Sequence, residues 1–356
     1  MKKYRRIKYL LCSIFCCSLF FITGCSDMRE IQDRDFIMAM GLSYSDQYQV
    51  VFTLPDLDAI TGQSKTEDID RHIRFFEGSS FPLIEDLYNQ SSENHLDYRH
   101  LETVILDDSI FHNEDGLESF LQYTRNEYTF SRNVLIFYYP GNIGDLFHSE
   151  GNLAGNIGNF LKKLTKNNST GDPASIGGLI DSMDNHKTLM IPTLKLENER
   201  LSIDGSLLYS KDRESFFIGQ ENTNLYHMLK GQGTDYVFQI DHTTITISDL
   251  TSSWDYTYRQ HTPYVKVNIK GTYRILEDAP KAKTRQLTNG EIHRYIVDQS
   301  NDFLNITMKK KGLDVLNLYD KSSYKNPMIW NAYDENLDGF LNDTEVIVSL
   351  QITKES

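Results

Sequence analysis

All four cysteines of this chain lie within its first 25 residues, so no disulfide can cross-link the long remainder. They are Cys12, Cys16, Cys17 and Cys25. The rest of the sequence must therefore be held together by a hydrophobic core, and its length suffices for two or three domains. The same distribution excludes cysteine catalysis and thiolate metal sites beyond Cys25.

The N-terminal segment has the three zones of a secretory signal. Five basic residues between Lys2 and Lys8 precede an apolar stretch from Tyr9 to Ile22. That stretch has about 14 residues, fewer than a membrane-spanning helix needs, so a permanent transmembrane helix is the weaker alternative. The exit Ile22 to Cys25 resembles the lipobox of bacterial lipoproteins. We therefore predict a signal peptide over 1–24 and lipidation of Cys25, with the mature protein held outside the membrane by a diacylglyceryl anchor.

The charge of the chain disfavours anionic partners. The formal net charge is −14. Removing the five basic residues of the signal leaves 31 of 36 Lys and Arg against 50 Asp and Glu, a charge of about −19. Such a surface repels nucleic acid and anionic lipid headgroups. We expect no nucleic-acid binding, and Cys25 as the main attachment to the membrane.

The region 25–190 alternates strand-like and helical segments. Two apolar runs flanking Ser43–Asp46 predict a β-hairpin. Further helices and strands follow in alternation, at Phe81–Tyr88, Thr103–Leu106, Leu117–Arg125 and Asn133–Tyr139. This order predicts a mixed α/β region around a central sheet, which could form two subdomains.

A second unit is predicted over 194–356, after a polar stretch from Lys166 to Gly178 that is typical of an exposed loop. Its segments alternate polar and apolar residues, as in an antiparallel sheet with one solvated face. Thr288 and Glu291 predict a capping box that opens a long helix. The last segment, Val346–Ile352, is strand-like. The predicted class is thus α+β, a mixed α/β region followed by an antiparallel sheet packed on a long helix.

These features occur in the same order as in the Ger(x)C spore-germination lipoproteins, which the chain resembles from Cys25 to its C-terminus. The opening matches at Cys25, Asp27, Arg29, Glu30, Ile31 and Gly41. A second block matches at His100, Val104–Leu106, Arg125 and Val134–Phe137. The C-terminal block matches at Gly205, Lys211–Asp212, Asp314–Pro327, Trp330 and the final strand.

Members of that family are the C subunits of nutrient germinant receptors in spore-forming Gram-positive bacteria. The resemblance implies a non-enzymatic, three-domain α/β protein on the outer face of the spore inner membrane. It also implies association with a membrane A subunit and a transporter-like B subunit, and a role in nutrient-triggered germination.

The segment from Asp334 to Glu345 matches the template of a calcium-binding EF-hand loop. The ligand positions are Asp334, Asn336, Asp338, Phe340 through its carbonyl, Asn342 and Glu345, with Gly339 at the sharp turn. An EF-hand needs a helix on each side, whereas the residues after Glu345 alternate like a strand. Asp, Asn and Gly are also common turn residues, so a plain acidic turn remains the alternative to calcium binding. We expect no other cofactor.

The sequence contains no HExxH zinc motif, GxSxG elbow or GxxxxGK[ST] phosphate loop. We therefore expect no enzymatic activity. The alternative function is that of a stand-alone surface lipoprotein that binds a small ligand or calcium. Gene context would separate the two, because a receptor subunit should be encoded beside two multi-pass membrane proteins.

Overall fold

The structure is a computed structural model that describes residues 33–55, 73–149, 157–167, 173–198, 200–241, 243–259, 262–278, 287–333 and 336–355. The predicted signal, Cys25 and Asp334 lie outside these ranges. The predicted α+β class is confirmed, since helices surround sheets of two, eight and four strands. None of the described helices combines the length and the apolar character that a membrane crossing requires.

The described residues form fourteen strands and eleven α-helices. The strands are β1 (Arg34–Phe36), β2 (Ala39–Tyr44), β3 (Tyr48–Thr53), β4 (Ile73–Gly78), β5 (His95–Asp97), β6 (Thr103–Asp107), β7 (Leu135–Tyr139), β8 (Leu189–Glu197), β9 (Arg200–Tyr209), β10 (Phe216–Ile218), β11 (Asp235–Ile240), β12 (Thr243–Arg259), β13 (Thr262–Asp278) and β14 (Glu345–Lys354). The helices are α1 (Phe81–Ser91), α2 (Asp108–Phe111), α3 (Glu114–Asn126), α4 (Ile143–Ser149), α5 (Ile157–Asn167), α6 (Ile176–Asn185), α7 (Gln220–Lys230), α8 (Asn289–Leu304), α9 (Leu318–Lys325), α10 (Pro327–Tyr333) and α11 (Leu337–Asp343).

The large sheet has the strand order β10-β9-β8-β7-β6-β2-β3-β4. Strands β2 and β3 pair antiparallel, which confirms the predicted hairpin, and β6 lies parallel to both β2 and β7. Helices α1, α3 and α6 bury apolar side chains on one face of this sheet. Helices α4 and α5 cover the opposite face. The sheet is therefore buried on both sides, which explains why β6 and β7 are continuous apolar runs.

Gly41 lets α4 lie close to the centre of the sheet. A Cβ atom at this position would meet side-chain carbons of Phe147 at 2.4 Å and of Ile143 at 2.5 Å. Both side chains are buried in the core between α4 and the sheet. The glycine in the predicted hairpin is thus required by packing rather than by the turn.

The hairpin β8–β9 contributes to two hydrophobic cores. Ile191 and Leu207 pair across the hairpin and pack in the core with α1, α3 and α6. Their neighbours Met190 and Leu208 also pair, and they pack in the core of the C-terminal unit. The predicted division between 190 and 194 therefore falls inside β8, where hydrogen bonding to β7 and β9 continues the sheet.

The C-terminal unit has a four-stranded sheet in the order β11-β12-β13-β14. Helix α8 packs on it and begins with the predicted capping box of Thr288 and Glu291. The predicted antiparallel pairing is confirmed for β11, β12 and β13, whereas the last strand, β14, pairs parallel to β13. Parallel neighbours need a crossover connection, and the segment carrying α8 to α11 supplies it.

The polar stretch from Lys166 to Gly178 is only partly a loop. Helix α5 extends through Asn167, and α6 begins at Ile176. The side chain of Ser175 caps α6 by accepting a hydrogen bond from the Gly178 N–H. Residues 168–172 lie outside the described ranges, so the loop prediction is untested there.

Gly205 offers a test of the join between β9 and β10. Its φ is +84°, and a Cβ there would lie 2.2 Å from the Ile218 carbonyl oxygen. We expect Gly205→Ala to lower the free energy of unfolding by more than about 1 kcal/mol in urea titrations. Gly290→Ala is the control, because a Cβ at Gly290 meets nothing within 4 Å. Equal effects of the two substitutions would contradict this account.

Candidate functional site

A groove of about 550 Å³ lies where the eight-stranded sheet meets the C-terminal helices. We call it the charged groove. It is lined by Asn185, His186, Lys187, Ser210, Lys211, Asp212, Arg213, Asp314, Asn317, Tyr319, Asp320, Trp330 and Leu337. Three of the segments that carry the family resemblance meet there, since the Lys211–Asp212 turn, Asp314 and Trp330 all belong to its walls.

Three turns with left-handed backbone conformations shape the groove. His186 ends α6 with a φ of 51°, and Asp212 has a φ of 63° in the turn after β9. Asn317 precedes α9 with a φ of 53°. Non-glycine residues rarely adopt this conformation, and they concentrate at sites where geometry is constrained. The three turns therefore fix the walls of the groove.

Contacts between acidic and basic side chains link the segments that line the groove. His186 Nδ1 lies 2.9 Å from an Asp212 carboxylate oxygen, and Lys187 Nζ lies 3.2 Å from Asp181 and 3.6 Å from Asp320. Burial disfavours the charged form of Lys187, yet the hydrogen bond to Asp181 and the charges of Asp320 and Asp181 together raise its pKa. The contact between Lys187 and Asp320 connects α6 to α9, so it links the N-terminal half of the chain to the C-terminal helices.

Asp314 forms the buried end of the groove. Its two carboxylate oxygens accept hydrogen bonds from the backbone N–H groups of Leu318 and Tyr319, both at 2.8 Å. These donors belong to the first turn of α9, which has no side-chain cap of its own. Burial raises the pKa of Asp314, and the two N–H donors oppose that rise. Asp314 thus sets the start of α9 against the groove.

Lys321 fastens α9 from its other side. Its Nζ atom lies 3.6 Å from the centroid of the Trp254 ring on β12 and donates a hydrogen bond to the Leu316 carbonyl at 3.0 Å. Burial, followed by the charge of Lys230, lowers the pKa of Lys321 to about 8. A partly buried set of charged side chains, which includes Asp314 and Lys321, therefore supports the groove.

A larger cleft, of about 850 Å³, opens beside His100 and Glu102. The Glu102 carboxylate is paired with Lys162 at 2.9 Å, and the exposed His100 ring contacts Phe36 edge to face. One rim is formed by Lys166 and Pro173, which flank residues outside the described ranges. The charged groove, whose lining is fully described, is the better defined of the two sites.

The proposed calcium ligands are dispersed in the described part of the chain. Asn336 caps α11 by accepting from the Gly339 N–H at 2.8 Å, and Asp338 pairs with Arg213 at 2.7 Å beside the charged groove. The Asn342 carbonyl accepts from Lys309 at 2.5 Å, Phe340 is buried, and Glu345 begins β14.

Within the described ranges no group of three or more acidic, histidine or cysteine side chains could hold a metal ion. Calcium binding stays a prediction, because Asp334 lies outside those ranges.

The sequence contained little sign of the groove. Its lining comes from segments more than a hundred residues apart, and pairs such as Arg213 with Asp338 leave no local pattern. The usable signal was the set of short polar turns in the family resemblance, where Asp212 and Asn317 now prove to have positive φ. The chemistry available in the groove is charge recognition and hydrogen bonding.

Replacement of Asp314 should weaken the helix that it caps. In Asp314→Ala one buried and one partly buried N–H donor lose their acceptor, which should cost about 1 to 3 kcal/mol in the free energy of unfolding. Asp302→Ala is the control, because this carboxylate is exposed on α8 and its removal should change stability by about 0.5 kcal/mol or less. Urea unfolding of both variants provides the measurement, and similar small losses in both would disprove the capping role.

The lowered pKa of Lys321 predicts that the free energy of unfolding depends on pH. Its pKa is about 8 in the folded chain and about 10.4 when unfolded. The unfolded chain binds more protons between these values, so this group's contribution to stability should increase from about pH 8 upward. The same contribution is lost as the pH falls through the folded pKa.

Lys321→Met should remove this contribution. Urea unfolding of the parent chain and of Lys321→Met is measured at about pH 7.5 and at about pH 9.5. The contribution of Lys321 is the change, between these two pH values, in the difference between their free energies of unfolding. A difference that stays constant with pH would contradict the prediction.

Comparisons with known proteins place both halves of the chain in one family. Residues 27–196 match the family model described as spore germination protein N-terminal domain, and residues 204–354 match the one described as spore germination B3/GerAC like, C-terminal. Spore germination protein A3 of Bacillus subtilis (strain 168) is 24% identical over 208 residues. That match covers 55% of this chain and 53% of the relative, so the chain spans about half the length of the curated relative.

A solved structure shares the fold. The crystal structure of the GerBC protein superimposes with a TM-score of 0.58 at 15% sequence identity, over 93% of this chain and 100% of that chain. The two family models match in the expected order and leave few residues between them. The chain belongs to the GerAC-like, or Ger(x)C, family of spore germination proteins.

Proposed function

We propose that this protein is a non-enzymatic, lipid-anchored subunit of a spore germinant receptor and is needed for nutrient-triggered germination. The observation that carries the proposal is the match of both family domains, in order, directly after Cys25. The charged groove supports a binding role, because its walls carry ion-pairing and hydrogen-bonding groups.

The anchor is part of the same proposal. Diacylglyceryl modification of Cys25 would place the folded region on the outer face of the spore inner membrane. Two acyl chains give stable attachment, whereas a single chain would not. The acidic surface that follows from the sequence makes the lipid, rather than electrostatic attraction, the source of membrane affinity.

The partners of the subunit would be the membrane A subunit and the transporter-like B subunit of the receptor. The groove supports such a contact because half-buried cations in it and beside it pair with exposed carboxylates. Lys211 lies 3.5 Å from Glu114, and Lys311 lies 2.8 Å from Glu214 near the same region. Because the acidic member of each pair is exposed, such pairs can exchange partners at low cost.

Affinity capture from spore membranes tests the proposal. The tagged chain should recover two multi-pass membrane proteins encoded beside its own gene, identified by mass spectrometry. Cys25→Ala should abolish incorporation of labelled palmitate and leave the precursor uncleaved after Gly24, because it removes the proposed acylation site.

Two outcomes separate the parts of the proposal. Continued acyl labelling of Cys25→Ala would reject the anchor but leave receptor membership open to the capture result. Capture of neither membrane protein by the lipidated chain would reject receptor membership. It would instead favour a stand-alone surface lipoprotein, the alternative function.

A further inference from the structure

A small acidic pocket of about 270 Å³ lies beside β1, apart from the charged groove and from the cleft at His100. Its walls come from β1, α1, β5 and the turn after α3, which contribute Arg34, Glu85, Asp97 and Glu127 respectively. The lining thus carries three carboxylates and one arginine. We call it the acidic pocket.

One of the three carboxylates is already neutralised. Arg34 Nη1 lies 2.8 Å from an Asp97 carboxylate oxygen, and Arg99 Nε donates to the same carboxylate at 2.9 Å. The Asp97 side chain is almost fully buried between these two guanidinium groups. The negative charge that remains in the pocket therefore belongs to Glu85 and Glu127.

Glu85 and Glu127 have hydrogen-bond donors but no counter-charge. Glu85 accepts from the Tyr123 hydroxyl, and one Glu127 oxygen accepts from the Thr129 N–H at 3.0 Å and from the Thr129 hydroxyl at 2.6 Å. Neither carboxylate forms an ion pair with another described residue. Burial and, more weakly, the charge of Glu127 raise the pKa of Glu85, so the two carboxylates are close enough to repel each other. A cation between them would remove this repulsion.

The Tyr98 hydroxyl is an unused hydrogen-bonding group in the same wall. The Tyr98 side chain is 1% exposed, and its ring packs against Phe130 in the core. Its hydroxyl oxygen is buried beside Glu85 but makes no hydrogen bond of normal geometry in the structure. A buried polar atom without a partner is unfavourable, so this oxygen marks a position that a ligand atom would complete.

Two features favour an organic cation over a metal ion. Within the described ranges no three acidic, histidine or cysteine side chains are placed to hold a metal, so the carboxylates of the pocket are too widely spaced to share one. Tyr128, next to Glu127, also lines the pocket, and its side chain is 88% exposed. An aromatic ring at the edge of an acidic pocket attracts organic cations through its negative face.

We propose that the acidic pocket binds a primary ammonium compound with a small apolar body. An ammonium group has three N–H donors, and Glu85, Glu127 and the Tyr98 hydroxyl oxygen are three acceptors in one wall. The apolar body would lie on the exposed ring of Tyr128. This binding depends neither on the lipid anchor nor on receptor membership.

Calorimetric titration of the purified full chain with 2-phenylethylamine tests the proposal. At about pH 8 an aliphatic amine is protonated and carboxylates are ionised. The matched ligand control is 2-phenylethanol, which has the same body without the charge. We expect saturable binding of the amine and binding of the alcohol that is weaker by about tenfold or more. No saturable binding of the amine up to about 20 mM, or equal binding of both ligands, would overturn the proposal.

A pair of charge-removing variants locates the binding. Glu85→Gln loses the charge but keeps an oxygen that can accept from Tyr123, and it should weaken binding of the amine by about tenfold. Glu118→Gln removes the same charge from an exposed position on α3 outside the pocket, and it should leave the affinity unchanged. Equal affinities of the two variants would show non-specific attraction to the acidic surface and refute the site.

Tyr128→Leu provides a variant that leaves the core intact, since the Tyr128 side chain is exposed. It should weaken binding of the amine by about threefold, because the cation–π contact is lost. Circular dichroism verifies that this variant and Glu85→Gln fold like the parent chain. Parent-like affinity in both folded variants would contradict the proposed binding mode.

Discussion

The structure depends on one hairpin that packs into two cores. In β8 and β9, neighbouring side chains point to opposite faces, so Ile191 and Leu207 are buried with α1, α3 and α6, while Met190 and Leu208 are buried with the C-terminal unit. Both faces of the hairpin are thus removed from water, and neither core is complete without it. The domain boundary that the sequence predicted between 190 and 194 lies within this hairpin. The physical connection explains why the charged groove has walls from both halves.

Sequence patterns predicted the elements whose signals are local. The hairpin β2–β3 and the capping box of Thr288 with Glu291 depend on residues within a few positions of each other, and both are confirmed. Helix α7 escaped prediction because Thr223 to Leu229 are all buried, which leaves no polar face and no helical periodicity. The parallel pairing of β14 was missed because alternation reveals a strand but not its neighbour.

The same distinction holds for the candidate sites. The calcium template reads twelve consecutive residues, yet in the structure Asn336 caps a helix and Asp338 pairs with Arg213, 125 positions away along the chain. The charged groove has the opposite character, since its residues are distant in sequence and adjacent in space. Asp314 shows why sequence patterns miss such residues. It is an ordinary acidic residue in the sequence, and its burial against two backbone donors gives it a structural role.

The packing of the β8–β9 hairpin in both cores limits how far the C-terminal sheet can move relative to the proposed anchor. Eight residue steps separate Cys25 from Asp33, the first described residue, and they span at most about 28 Å. A lipid on Cys25 would therefore keep the start of β1 within that distance of the membrane. Because the β8–β9 hairpin belongs to both cores, the C-terminal sheet cannot move independently of the tethered half. The charged groove would then be held in a restricted range of positions above the membrane, where neighbouring proteins in the same bilayer can reach it.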